Sequence, residues 1–214
     1  YVCDPTAGSR AAGTMSYFLA GLTGVTSQSI QITLPDGTRK QVPAGCTVRD
    51  AVAQDGKRLD QKILAAKVNG TPVDLFYPLE QDATVELLTF ESAEGREVYR
   101  HSSTHIMAQA VKEVFPTAQL TIGPALEDGF YYDFAFDRPF TPEDLEKIEA
   151  RAVEITKRGL AVSRSELSKH DAIQFFQDRG EQYKVELINS FDDAAPISLY
   201  RQGEFVDLCR GPHL

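Results

Sequence analysis

From Ile30 onward, apolar and polar residues alternate: Ile30, Ile32 and Leu34 are separated by Gln31 and Thr33, and the run stops at Pro35-Asp36-Gly37. A period of two marks a half-buried strand. The turn residues then return the chain through Lys40 to Val42, which predicts a β-hairpin. Next the period lengthens, with Val48, Ala51 and Val52 at helical spacing behind Thr47, whose hydroxyl suits an N-cap. Lys67 to Leu75 is expected to turn at Asn69-Gly70, and Ala83 to Phe90 to close the region as a further strand. Hairpin, helix and further strands within residues 30–91 predict a small β-grasp (ubiquitin-like) domain.

Ser92 to Gly95 is a short, small and polar joint to a second domain, residues 96–214, expected to be an α/β two-layer arrangement. Glu94 to Val114 reads as a helix. Ile106, Met107, Ala110, Val111 and Val114 fall within an arc of about 140° at a helix's ~100° per residue, the usual core-facing stripe. His101 and His105 lie opposite it with Val98, Ala108 and Lys112, so they are expected to face solvent or a cleft. Ser102, Ser103 and Thr104 between them supply no Glu as general base, which excludes the metalloprotease pattern. Turn signals at Gly123-Pro124 and Asp128-Gly129 flank short β-like runs, and aromatic Phe130 to Phe136 predicts a buried strand. Thr141 is expected to cap a helix with Pro142 first, Leu145, Ile148, Ala152 and Ile155 on one face, and Gly159 after its end. Ser168 begins another helix, whose first turn holds His170, expected at the surface. Tyr183 to Ile188, Ile197 to Arg201 and Glu204 to Leu208 read as strands, the last two joined by Gln202-Gly203. Cys209 and His213 share the four-residue spacing of His101 and His105, but Gly211 and Pro212 place them on a loop.

Composition narrows the function classes. Of 214 residues, 42% are hydrophobic and 25% charged, an ordinary globular mixture with room for two domains. A net charge of −9 gives no global attraction to nucleic acid, so an RNA partner must be held by local basic patches or by regions outside this chain. Three cysteines, an odd count with no close pair, point to a reducing compartment and a cytoplasmic protein. Residues 1–29 are Ser-, Thr-, Gly- and Ala-rich and are expected to be a disordered leader. Their one apolar run, Tyr17 to Val25, is far shorter than a membrane span, and Arg10 alone does not make the basic segment of a signal peptide.

The stretch ITLPDGTRKQVPAGCTVRDAV resembles the TGS domain found at the front of threonyl-tRNA synthetases. HSSTH at 101–105, IGPALEDGFYYDF at 122–134, RGEQYKVELI at 179–188 and FVDLCRGPH at 205–213 are similar, in order and spacing, to the editing domain of the same family. The resemblance covers Ile30 to Leu214 and implies an N-terminal fragment of a homodimeric ligase. Its missing aminoacylation core would use ATP, Mg and Zn, and its partner is tRNA(Thr). For this portion it implies hydrolysis of mischarged seryl-tRNA(Thr), without a cofactor, at a site lined by His101, His105, Lys184, Asp207, Cys209 and His213.

The need for such a site is physical. Serine lacks only a methyl of threonine, and one methyl in a pocket discriminates by about 10- to 200-fold, so higher accuracy requires a second, hydrolytic sieve. Chemically, a histidine suits activation of the attacking water, Lys184 the negative charge developing at the ester, and Asp207 the substrate ammonium. Two other classes remain open at this point. Three histidines and a cysteine make a tetrahedral zinc set, as in a zinc-dependent free-standing deacylase. Alternatively, the chain acts as a non-catalytic TGS-type RNA or nucleotide binding module.

Overall fold

The computed structural model describes residues 28–53, 60–123, 125–126, 128–192 and 196–214. The expected leader lies outside these apart from its last two residues, as does Pro124 of the Gly123-Pro124 turn. Strand β1 (Ser29–Thr33) pairs antiparallel with β2 (Arg39–Pro43), Ile30 opposite Val42, through a turn in which Gly37 takes φ 83°. After β3 (Cys46–Thr47), the Thr47 hydroxyl accepts from Asp50 N–H and caps α1 (Val48–Val52). Strands β4 (Ile63–Val68) and β5 (Thr71–Val73) turn at Asn69-Gly70, both in the left-handed region. β6 (Pro78–Leu79) pairs with β3, and β7 (Ala83–Thr89) runs parallel to β1 and antiparallel to β4. The resulting sheet has the order β2-β1-β7-β4-β5. Ile30, Ile32, Val85 and Ala66 of the sheet meet Val48, Ala51 and Val52 of α1 in one apolar core, as the alternation required.

Ser92 caps α2 (Ala93–Val114), the longest helix, by accepting from Gly95 N–H. Glycine is needed at 95 because a Cβ there would lie 1.8 Å from the Thr89 carbonyl oxygen at the end of β7. Three neighbours cover this helix. Val98 packs on Ala65 and Leu88 of the front sheet, Ala110 and Val111 on Ile148 and Ile155 of α3 (Pro142–Arg158), and Ala108 on Leu120 and Phe205. Thr141 and Asp144 form the capping box of α3, and Gly159 ends it at φ 57°.

Beyond α2, β8 (Gln119–Leu120) pairs with β11 (Phe134–Ala135), and β9 (Ala125–Leu126) with β10 (Gly129–Phe130). β12 (Val162–Leu167), β13 (Ile197–Gln202) and β14 (Phe205–Leu208) form an antiparallel sheet, and α4 (Lys169–Gln177) and α5 (Gln182–Asn189) pack on Ile197, Leu199 and Val206. The class is α+β.

Three expectations are corrected. Tyr183 to Ile188 is not a strand but the core of α5: Lys184 and Ile188, four apart, are its buried residues, so the period is helical although Val185 and Leu187 mimic alternation. Phe130 to Phe136 is not one buried strand. It is split between β10 and β11, and Tyr131 is 43% exposed because the ladders pair only two residues each. On α3, Ile148 and Ile155 are buried but Leu145 is 56% exposed, since α2 and the aromatic cluster cover only the later turns.

Candidate active site

The long helix, the short helix α5 and the β14 strand end converge on one cavity of about 800 Å³. His101 and His105, one turn apart on α2, present edge-to-face rings 5.4 Å apart. The expected choice between solvent and cleft is decided for the cleft. On the facing wall, Asp207 shares with Phe205 the face of β14 that looks toward α2, and the chain then leaves the strand through Cys209 to His213. Cys209 Sγ lies 3.1 Å from Nε2 of both His101 and His213, and the His213 ring centroid stands 4.3 Å from His101 and 4.1 Å from His105. Lys184 reaches in from α5. All six residues read from the sequence therefore meet, while His170 is exposed and apart from them.

A second cluster adjoins the first. Lys184 Nζ sits 2.6 Å from Asp207 Oδ1 and donates to the Tyr132 hydroxyl at 2.9 Å, which donates in turn to Asp207 Oδ2 at 2.8 Å. Leu208 N–H donates to Asp207 Oδ1 at 2.7 Å, and His105 Nε2 is 3.8 Å from Oδ2. Lys184 is 2% exposed and Asp207 1%. Two charges so deeply buried are tolerable only as a hydrogen-bonded pair, an arrangement found where a site needs fixed charge more than stability. Burial by itself would raise the Asp207 carboxyl, but Lys184, His105 and Tyr132 together hold it below the usual carboxylate range.

The imidazole–thiol cluster has the opposite character. Burial lowers His101 and His213 and brings His105 down to about 4, so all three rings are neutral near pH 7. Burial also pushes the Cys209 thiol up to about 12. It is a proton-bearing thiol, not a nucleophilic thiolate. Ser102 defines one tautomer: its hydroxyl donates to the Val98 carbonyl, so toward His213 Nδ1, 3.3 Å away, it accepts. His213 therefore carries its proton on Nδ1 and turns the Nε2 lone pair to Cys209.

One ligand atom from each of His101, His105, Cys209 and His213 lies within 4.8 Å of the others. Imidazole and thiol suit zinc, whose bonds of about 2.0–2.3 Å correspond to tetrahedral edges of roughly 3.3–3.8 Å, so the donor set fits the ion after a modest contraction.

Two residues of the site were not read from the sequence. Tyr132 lies in the aromatic run expected to pack as a strand, but it stacks on Phe134 and turns its hydroxyl to Lys184 and Asp207. Asp74, from the front region just after β5, is 3% exposed and accepts from His213 N–H at 2.6 Å and the Tyr200 hydroxyl at 2.8 Å. The aromatic run carried a weak signal for Tyr132; nothing near Asp74 in the sequence carried one.

Residues 30–89 match the TGS domain family. The chain is 54% identical over 188 residues, 88% of its length, to the threonine–tRNA ligase of Symbiobacterium thermophilum. It is also 54% identical over 185 residues to that of Citrifermentans bemidjiense and 50% identical over 183 to that of Hahella chejuensis, 86% of its length in each case. It spans 29% of the length of each of these relatives. No helix among the described residues is long and apolar enough to cross a membrane.

Proposed function

We propose, from the likeness to threonine–tRNA ligases over most of the chain, that this polypeptide is the proofreading part of such a ligase. On this reading the whole protein charges tRNA(Thr) with threonine, using ATP and Mg in regions outside this chain, as a cytoplasmic homodimer. Residues 30–91 form the TGS-like unit, and 96–214 hydrolyse the ester of seryl-tRNA(Thr). The observation that carries the reading is the buried Lys184–Tyr132–Asp207 network set against the neutral imidazoles of His101 and His105 in one cavity.

Each group has a task suited to its state. His101, half-buried and neutral at pH 7, accepts the proton of the attacking water. Lys184 holds positive charge beside the ester, where negative charge develops. Asp207 offers the remaining lone pair of Oδ2 to the seryl ammonium, and Tyr132 fixes the carboxylate's orientation. Cys209, a protonated thiol, shapes the pocket and orients His213 without forming an acyl intermediate.

The test is deacylation of seryl-tRNA(Thr) by wild type, Lys184→Met, Asp207→Asn and His101→Ala. Each variant is expected to lose about 10²- to 10³-fold in rate, as removal of a charge stabiliser or a general base does. Because breaking a buried pair costs about 3–5 kcal/mol, thermal unfolding is followed to confirm that each variant is folded at the assay temperature. Unchanged rates in folded variants would refute the assignment. The convergence of His101, His105, Cys209 and His213 supports a second reading, a zinc site. Zinc held by all four would have no open position for water and would be structural. Stoichiometric zinc, with hydrolysis lost on chelation, would replace the metal-free reading.

A further inference from the structure

We propose that the TGS-like region is a working part of the hydrolytic site, with Asp74 as the positioning residue that sets the ring of His213. The inference rests on the reading of the cavity as a hydrolytic site, but its geometry stands independently. Asp74 follows β5 in the front sheet, 139 positions before His213, yet its carboxylate is buried against the Cys209–His213 loop. One oxygen accepts from His213 N–H and the other from the Tyr200 hydroxyl. The tyrosine in turn lies against Gly211, where an added Cβ would stand 1.9 Å from the hydroxyl oxygen, and its ring meets the His213 imidazole edge-on at 4.5 Å. Asp74 thus fixes the loop twice, directly through the His213 amide and indirectly through Tyr200.

The other side of His213 is fixed by α2. Ser102 Oγ accepts from His213 Nδ1 and from Leu214 N–H while donating to Val98. Backbone and ring are therefore held by separate elements. With the ring proton at Ser102, the Nε2 lone pair is aimed at Cys209, whose sulfur also contacts His101. Without the acceptor at Asp74, the buried His213 N–H and Tyr200 hydroxyl lose their partner, and His213 keeps only the ring contacts to Ser102 and Cys209, with no anchor on its backbone N–H.

The experiment uses the 214-residue chain. Asp74→Ala is expected to lower kcat for seryl-tRNA(Thr) hydrolysis by roughly 10- to 100-fold with KM nearly constant, the usual effect of removing a group that orients a site residue. Asp74→Asn keeps the acceptor for His213 N–H and is expected to restore most of the activity. Histidine ¹⁵N–¹H NMR, with His213 assigned through His213→Gln, is expected to show the Nδ1–H form in wild type and Asp74→Asn. In Asp74→Ala that signal shifts while the other histidine signals stay in place, a pattern that general destabilisation would not give. If Asp74→Ala does not fold, Asp74→Ser, which keeps a polar group but is too short to reach His213, is read in its place. Unchanged kcat and an unchanged His213 signal, or a loss in Asp74→Asn equal to that in Asp74→Ala, would overturn the proposal. If wild type shows no hydrolysis, the functional reading has failed, and the His213 signal alone decides whether Asp74 positions the ring.

Discussion

Cys209 illustrates how surroundings decide the chemistry of a single side chain. Its sulfur contacts two imidazoles and accepts from Gly211 N–H at 3.3 Å, a setting that looks like an activated thiol. Activation needs an uncompensated positive charge or a protonated histidine, whereas Lys184 is paired with Asp207 and burial keeps the rings neutral and pushes the thiol up to about 12. The expected consequence is inertness. At pH 8, iodoacetamide should alkylate Cys209 about 10³-fold more slowly than a free thiol of pKa ≈ 8.5, because the thiolate fraction is smaller by that factor. Residue-specific labelling read by mass spectrometry checks this, and labelling at the rate of a free thiol would make Cys209 a candidate nucleophile.

Among the elements, the loop from Cys209 to His213 is the most constrained. Gly211 has φ 73° and no room for a Cβ, since the Tyr200 hydroxyl held by Asp74 fills that space. Gly203, in the β13–β14 turn, has φ 60°, but its Cβ would meet only the mobile end of Leu160 at 3.1 Å. Gly203→Ala should therefore cost about 1 kcal/mol and Gly211→Ala roughly 2–4 kcal/mol, the excess being the clash, as read from urea midpoints. Equal costs would mean that Tyr200 yields freely. This contrast also marks what the sequence could reveal. Hairpin β1–β2, the caps at Thr47 and Thr141, and the turns at Asn69-Gly70 and Gln202-Gly203 are local, each determined by residues within a few positions, and all were legible. The four His and Cys residues were legible through their spacing. Helix α5 was not, because six residues of mixed apolar pattern satisfy either period and burial of a lysine is visible only in three dimensions. Asp74 and Tyr132 act across long separations, and no local pattern encodes a partner so far away.

At the scale of the whole molecule, burying neutral histidines makes stability depend on pH. An unfolded histidine takes its proton near pH 6.5, whereas folded His105 does so only near 4. Between those values the unfolded chain binds the proton and the native one does not, so stability falls with pH, by up to about 3 kcal/mol for His105 alone. Stability from this source is whole above pH 6.5. His101 and His213, also lowered, steepen the loss, and Asp207, held low by its partners, adds a further loss in stronger acid. Urea unfolding at pH 7.5, 6 and 5 should show a falling midpoint, and His105→Gln a shallower fall. A midpoint constant from 7.5 to 5 would mean that the rings are hydrated and titrate normally.

The Asp74–His213 bond has one more consequence, for the order of assembly. It closes 139 residues of chain, and the Cys209–His101 contact closes 108. Hairpins and helices form from neighbours within microseconds, while contacts of high sequence separation wait until much of the chain is already confined. The cavity is therefore expected to take shape late, once the sheets and the long helix exist to hold it. During synthesis the Cys209–His213 loop emerges after α2, Asp74 and Tyr200, the parts it touches, so the cluster of His101, Cys209 and His213 is expected to assemble only after those parts are in place.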